Sequence, residues 1–371
     1  MKKLVHVFLT AAVLYTVSMP VLAVETAPAV SAECSIVIHA DSGRVLYEKN
    51  ADQRMLIAST TKIMTALVAL ENCAPEEAVT IKPEWAAVEG SSMYLKSGET
   101  YTLEELLYGM MLASGNDAAT AVACHVAGDI PSFAELMNEK AEALGMSGSS
   151  FENPHGLDGE THYSTARDMA TLAAHAMENE SFAKIVGTHA VTIKGLTYVN
   201  HNKLLTMCDG VLGVKTGFTK AAGRTLVSCC ERDGARLICV TLHAPDDWDD
   251  HMALYDWAYR EYRYMPAVGP EDTVSLPLIS DAGGTVTVRP REEVRVLTAP
   301  EDQVSVSVQL PRFVFPGHEA GERAGKLIVC VNGVPQGETD YVYCSDIAVP
   351  TAAKRSFLQW LRGLGVYELI Q

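Results

Sequence analysis

Ser59-Thr60-Thr61-Lys62 opens a run that continues Ile63-Met64-Thr65-Ala66-Leu67-Val68-Ala69-Leu70, with neither Pro nor Gly until Pro75. The apolar positions predict a buried helix. Residues three apart in a helix sit one turn from each other on one face, so a serine at the helix start holds its hydroxyl beside the Lys62 amine. A serine hydroxyl becomes an effective nucleophile when a neighbouring base takes its proton. Free lysine titrates near about 10.4, so Lys62 serves as that base only where burial or a second cation drives it toward the neutral form. A helix N-terminus adds unpaired N–H groups and a positive dipole end for a developing oxyanion. Taken alone, S-x-x-K reads equally well as an N-cap serine with a surface lysine. The remaining parts of a site have to come from elsewhere in the chain.

With 371 residues, 48% of them hydrophobic, the chain suffices for one large domain and a smaller one. Residues 1–23 have the pattern of a signal peptide: Lys2 and Lys3, an apolar run from Leu4 to about Val17, then Pro20 and Val21-Leu22-Ala23 with small residues where a signal peptidase cuts. An uncleaved anchor is the rival reading, although the apolar run is short for a span. Cleavage places the mature protein outside the cytoplasmic membrane: its outer face, the cell wall or the periplasmic space. Without Lys2 and Lys3 the 29 basic residues become 27 against 46 acidic, a formal charge of −19. That balance argues against nucleic acid as a partner, since phosphate binding needs clustered Lys and Arg. The nine cysteines show no C-x-x-C pair and no metal-ligand spacing. Those in Val227-Ser228-Cys229-Cys230 and Leu237-Ile238-Cys239-Val240 read as small buried hydrophobes, and no disulfide is predicted.

Cys34 to Ala40 and Arg44 to Tyr47 flank Asp41-Ser42-Gly43 as a hairpin. Thr102 with Glu105 predicts a capped helix from Leu103 to about Leu112 that stops at Ser114-Gly115-Asn116. Helices follow over Asp117–Val126 and Ser132–Leu144, then a loop from Phe151 to Asp158, then a helix capped by Ser164 or Thr165 and running through Met177. From Thr188 the pattern turns to strands, including Gly213-Val214-Lys215-Thr216-Gly217-Phe218-Thr219, and closes with an amphipathic helix over roughly Asp249–Tyr262. Strands at both ends with helices between predict a sheet whose edge strands come from distant parts of the chain.

Near Pro266 the character changes to short alternating runs broken by Gly, Pro and Asp, the pattern of a small all-β sandwich or barrel without a chemical cluster of its own. After Pro350, Phe357, Trp360, Leu361, Leu364 and Tyr367 share one side of a helical wheel with Leu358 and Leu369. Lys354, Arg355, Gln359 and Arg362 take much of the other. An aromatic-rich face opposite basic residues suits a helix lying on a membrane surface. A helix packed on its own β domain is the alternative, and Gly363 and Gly365 weaken either helix. The division predicted is 1–23 leader, 33–265 catalytic domain, 270–349 β-rich domain and 351–371 amphipathic helix.

A serine acyl-transfer site needs a nucleophile, a base, proton-shuttling groups, an oxyanion hole and a grip on the substrate. Ser114-Gly115-Asn116 supplies a hydroxyl that can pass protons and an amide that can hold both Lys62 and a substrate peptide group. Lys215-Thr216-Gly217, on a strand, supplies a second cation that favours neutral Lys62, groups for a substrate carboxylate, and a glycine where substrate backbone comes close. S-x-x-K, S-x-N and K-T-G in this order resemble the motif set of the penicillin-recognising serine acyltransferases. The segments Ile57 to Thr65, Gly90-Ser91-Ser92-Met93, Met111 to Ala119, Asn153-Pro154-His155-Gly156-Leu157 and Tyr163 to Ala170 resemble the low-molecular-mass D-alanyl-D-alanine carboxypeptidases, peptidase family S11. The resemblance covers about 33–265 strongly and the remainder more loosely. Asp246 to His251 resembles the branch found in spore-forming Gram-positive bacteria.

The resemblance implies an α/β (α+β) β-lactamase/transpeptidase-like catalytic domain with a small C-terminal all-β domain. It implies that Ser59 attacks the bond between the last two D-alanines of a peptidoglycan stem peptide, with Lys62 as base and Ser114 as the third catalytic group. Asn116, Lys215, Thr216, Gly217 and Phe218 would bind substrate, the N–H groups of Ser59 and Phe218 forming the oxyanion hole. β-Lactam antibiotics would acylate Ser59, and no cofactor or metal is called for. Two departures stand out: Phe218 replaces the His that many members carry after K-T-G, and Asp246 to His251 lacks an Arg, which leaves Arg224 as a candidate carboxylate contact. His155 either helps position water or is a structural loop residue. The rival functions are a β-lactamase of the same fold, for which no E-x-x-L-N stretch lies between Asn116 and Lys215, and a catalytically silent wall-binding protein.

Overall fold

The computed structural model describes residues 27–280 and 283–349; the predicted leader and amphipathic tail lie outside them. β1 (Cys34–His39) and β2 (Val45–Lys49) form the expected hairpin. A 3₁₀ turn over Ala58–Thr61 then carries Ser59 into α1 (Lys62–Asn72). Ser59 therefore precedes the α-helix rather than opening it. Ala58 stands at φ +47°, and the Thr60 and Thr61 hydroxyls donate back to the carbonyls of Ile57 and Ala58 at 2.6 and 2.8 Å, which holds the tighter turn.

β3 (Ala78–Thr80), α2 (Pro83–Ala86) and β4 (Thr100–Thr102) lead to α3 (Leu103–Leu112). Its start is a full capping box: Thr102 Oγ1 accepts from Glu105 N, and the Glu105 carboxylate accepts from Thr102 N. α4 (Asn116–Ala127), α5 (Ile130–Ala143), α6 (Ala166–Ala176, capped by Thr165) and α7 (Glu180–Gly187) complete the helical part. β5 (Ala190–Ile193), β6 (Leu196–Val199) and α8 (Leu204–Met207) connect to the long strands β7 (Val211–Thr219), β8 (Gly223–Arg232) and β9 (Ala235–Leu242), followed by α9 (Asp247–Glu261).

The main sheet runs β2-β1-β9-β8-β7 and is antiparallel throughout. Its edges, β2 and β7, come from far apart in the chain, and β1 is inserted beside β9. Successive strand residues face opposite sides, and here both sides are covered. Ile238 and Val240 join the core made with α1, α3, α4 and α6, while Leu237 and Cys239 join the core made with α9. Burial on both faces is why Leu237 to Val240 reads as a continuous apolar run. Buried His251 of α9 bridges β8 and β9 through Ser228 Oγ at 2.7 Å and Thr241 Oγ1 at 2.9 Å.

The C-terminal part begins inside a strand. β10 (Arg263–Val268) runs straight from α9 through Pro266, so the change of composition there marks no break. β10 pairs with β13 (Val294–Thr298), whereas β11 (Val274–Pro277), β12 (Thr285–Pro290), β14 (Val304–Gln309), β15 (Arg323–Val331) and β16 (Val334–Tyr343) form a second sheet in the order β11-β12-β16-β15-β14. Along β12 the side chains alternate exposed and buried over a separate Val- and Tyr-rich core. Leu297 of β13 inserts into the α9 core, and Arg44 donates to its carbonyl and pairs with Asp302 at 2.8 Å. That ribbon joins the two parts.

Candidate active site

Lys62 is fully buried at the first position of α1, and its amine meets three partners. These are Ser59 Oγ at 2.9 Å, Asn116 Oδ1 at 2.7 Å and the His155 carbonyl at 2.6 Å. The Asn116 orientation is set by its other end, where Nδ2 donates to the Glu89 carbonyl at 2.6 Å. A carbonyl only accepts, so the amide oxygen must face Lys62. Asn116 Oδ1 and the His155 carbonyl can only accept as well. A neutral amine would use its two N–H bonds on them, and its lone pair would be left for the one partner that can donate, Ser59 Oγ. Burial lowers the Lys62 pKa well below the ordinary lysine value; the nearby Lys215 charge lowers it further and Asp117 acts the other way. The second cation therefore contributes, but desolvation is the larger cause.

Lys215 on β7 is buried too, and burial brings its pKa down to about 7. Its amine donates to Ser114 Oγ at 3.1 Å and to the Thr216 carbonyl at 2.9 Å. Ser114 lies between α3 and α4 at φ +61°, and Asn116 is the first residue of α4 rather than a loop residue. The motif residues thus form two hydrogen-bonded groups, Ser59–Lys62–Asn116 and Ser114–Lys215. Ser59, Ser114, Thr216, Gly217 and Phe218 line a cleft of about 890 Å³. A side chain at Gly217 would collide with the Thr225 hydroxyl and stand 2.9 Å from Ser59 N, so this strand passes directly over the Ser59 amide. The Phe218 ring is 67% exposed.

Several contributors were not evident from sequence. Buried Asp117 accepts from Ser92 Oγ (2.7 Å), Met93 N (2.8 Å), Leu95 N (3.0 Å) and Ala118 N (2.9 Å). It thereby fixes the 91–95 loop, whose Ser91 carbonyl receives Asn116 N at 2.7 Å. His155 contributes its backbone. Asn153 Oδ1 accepts from the N–H groups of His155 and Gly156, and Pro154 O receives the Thr65 hydroxyl. Gly156, at φ +87°, lies so close to Ala58 that any side chain would overlap the Ala58 carbonyl. Burial and Lys62 bring the His155 imidazole down to about 3, so the ring stays neutral near pH 7. The far wall of the cleft is the 199–206 segment, and its rim holds Arg224, which pairs with buried Asp247 at 2.6 Å and lies over the Trp248 ring. Asp117, His155 and Arg224 stand in or beside segments already singled out in the sequence, but only the fold reveals their partners; the 199–206 segment belongs to no short motif.

Comparison with known proteins supplies an independent line. The profile of the D-alanyl-D-alanine carboxypeptidase family, peptidase S11, matches residues 22–246. D-alanyl-D-alanine carboxypeptidase DacF of Bacillus subtilis is 31% identical over 351 residues, covering 89% of this chain and 90% of the relative. DacC of Escherichia coli is 33% identical over 335 residues, covering 83% and 82%. Among solved structures, penicillin binding protein 5 of Haemophilus influenzae superposes with a TM-score of 0.71 at 26% identity, covering 88% of this chain and all of the other.

Asp117→Ala strips the acceptor from three buried backbone N–H groups and the half-buried Ser92 hydroxyl at once. Unfolding in urea should show a loss on the order of 3 kcal/mol, and protection of the Met93 and Leu95 amides from hydrogen exchange should fall with it. A loss within about 0.5 kcal/mol, the range of an ordinary surface substitution, would mean that the loop is held by other contacts.

Proposed function

Because the chain belongs to the D-alanyl-D-alanine carboxypeptidase family, peptidase S11, we propose that Ser59 is the nucleophile that takes the acyl group of a peptidoglycan stem peptide as its terminal D-alanine leaves. The observation that carries this reading is the set of three contacts of Lys62: with two N–H bonds directed at the acceptor-only Asn116 Oδ1 and His155 carbonyl, a neutral amine can take a proton only from Ser59. Ser59 Oγ attacks the penultimate carbonyl as Lys62 receives its proton. The developing oxyanion is held by the N–H groups of Ser59 and Phe218, a reading supported by the close pass of Gly217 over Ser59 N. Substitution of His by Phe at 218 leaves that N–H in place.

The proton then moves to the departing D-alanine amine through the Ser114 hydroxyl, which Lys215 holds. Water enters, and the same groups run in reverse to free Ser59. Lys215 and the Thr216 hydroxyl take the terminal carboxylate, Asn116 positions the peptide, and Gly217 leaves room for substrate backbone. Penicillin acylates the same serine. Cell-wall peptidoglycan as substrate implies export, which agrees with the leader pattern of residues 1–23. Attachment to the outer face of the cytoplasmic membrane through 351–371 rests on the aromatic and basic faces of that segment. No described helix is long and apolar enough to cross a membrane.

The decisive assay is release of D-alanine from diacetyl-Lys-D-Ala-D-Ala. Ser59→Ala should lose at least about 10³-fold in kcat, and penicillin should leave a long-lived adduct on Ser59 of the wild type. Rapid turnover of penicillin, or no D-alanine release from the wild-type protein, would overturn the reading.

The kcat/KM profile reports the ionisations of the free enzyme. It should fall above about pH 7 as Lys215 loses the charge that meets the carboxylate. Fold stability should move the other way: between about 7 and the ordinary value of 10.5 the unfolded chain holds the proton that the folded chain has released, so raising pH stabilises the fold. The alkaline loss is thus not unfolding. Lys215→Arg, charged throughout, should shift that limb to higher pH; a limb that stays put would remove Lys215 from carboxylate binding.

Truncation after Pro350 should release the protein from membranes into the soluble fraction while D-alanine release continues. Unchanged sedimentation with membranes would refute the anchoring role.

A further inference from the structure

α1 and α4 start together at Lys62 and Asn116, and they also finish together. Cys73 follows the last residue of α1, His125 lies in the last turn of α4, and Glu77 sits just before β3. One ligand atom from each of the three lies within 4.8 Å of the other two, and His125 Nε2 is 3.2 Å from Glu77 Oε2. The other carboxylate oxygen accepts the Ala74 N–H at 2.9 Å, which orients the group and leaves Oε2 turned toward the imidazole.

We propose that Cys73, Glu77 and His125 bind a divalent cation of the zinc class, with solvent completing a tetrahedron. Thiolate, imidazole and carboxylate together are the donor set that Zn²⁺ favours. Donors about 2.0–2.3 Å from a tetrahedral ion stand roughly 3.3–3.8 Å apart, a spacing these side chains reach by small rotations. Two helix C-termini meet here, so two negative dipole ends face the position of the ion. All three side chains are partly exposed, which leaves the fourth position open to water. Binding transfers the thiol proton to solvent as the Cys73 sulfur–zinc bond forms. The ion would lie about a full helix length, roughly 16 Å, from the Lys62 amine. It braces the far ends of the two helices that begin at the catalytic cluster and takes no part in the chemistry.

Equilibrium dialysis of the purified protein against Zn²⁺ should give one ion per chain. Co²⁺ should give a thiolate-to-metal charge-transfer band and tetrahedral d–d bands. Cys73→Ser and His125→Gln, which change little in shape, should each weaken binding by at least about 100-fold, the upper end of what even outer-shell changes cost. Cys344→Ser, which removes an exposed thiol elsewhere, should bind as the wild type does. Zn²⁺ at about 100 times its Kd should raise Tm by roughly 3 °C in the wild type and not in the two ligand variants. Substoichiometric zinc, a cobalt spectrum without the thiolate band, or binding unchanged in Cys73→Ser would overturn the proposal. None of these readouts depends on peptidase activity.

Discussion

A lysine amine with no access to water is the constraint on which this structure turns. Lys62 is fully buried, and its nitrogen touches groups from three separate segments. Burying an ammonium without a carboxylate partner is costly, so the fold favours the neutral amine. A neutral amine in turn requires that its neighbours sit where two N–H bonds and one lone pair can point. The Asn153-Pro154-His155-Gly156-Leu157 turn delivers a carbonyl, α4 delivers an amide oxygen, and the 3₁₀ turn delivers a hydroxyl. Ala58 and Ser114 hold left-handed backbone angles on the two loops that present the serines, conformations that cost on the order of 1–3 kcal/mol each. The surrounding packing must offset them. Gly156 shows how tightly: with a side chain there the turn could not close on Ala58.

The polar groups around that amine are buried but paired. Asp117 collects four donors, the Thr61 hydroxyl links the Ala58 carbonyl to His162, and Thr65 satisfies Pro154. His162 Nδ1 accepts the Glu152 N–H, so its proton is on Nε2, directed at Thr61. Burial lowers the His162 pKa to about 4, and the ring stays neutral with that tautomer. A paired network of this kind behaves as a rigid shell, and rigidity is what an acyl-transfer site needs from its supports.

What could be read from sequence follows from how local each determinant is. Thr102 with Glu105 was legible because a capping box closes within four residues. The β12 strand was legible because its alternation answers to a single core. Ser59 with Lys62, Ser114 with Asn116, and Lys215 were legible because they stand in three short motifs, although only the fold brings Lys62 to Asn116 and Lys215 to Ser114. The role of Asp117 was not, since the loop donors it gathers lie 22 to 25 residues back and nothing local ties the Gly90-Ser91-Ser92-Met93 segment to it. Nor was the continuity of β10 through Pro266. Its partner strand lies around Arg295, and a proline suggests a break until that partner is known. The α7 and α8 elements are short and pack beside β7, while β6 pairs with β5 and rests against α3.

The helix termini then explain how one place serves two charges of opposite demand. Both α1 and α4 point their N-termini at the cluster. Their positive dipole ends disfavour a protonated Lys62 and favour a negative oxygen developing above Ser59. In the proposed acyl transfer, the field that favours a neutral Lys62 before attack would also stabilise the oxyanion that the attack produces. A glutamate in place of Lys62 would gain from that field as an anion, and so would be held in a weakly basic form. Lysine is the side chain that the field leaves unprotonated near neutral pH, so that more of it is free to accept a proton. Lys215 acts in the same direction, and its own lowered pKa shows the limit of the device. Two buried amines so close resist carrying charge together, and both lysines are pushed below the ordinary lysine value.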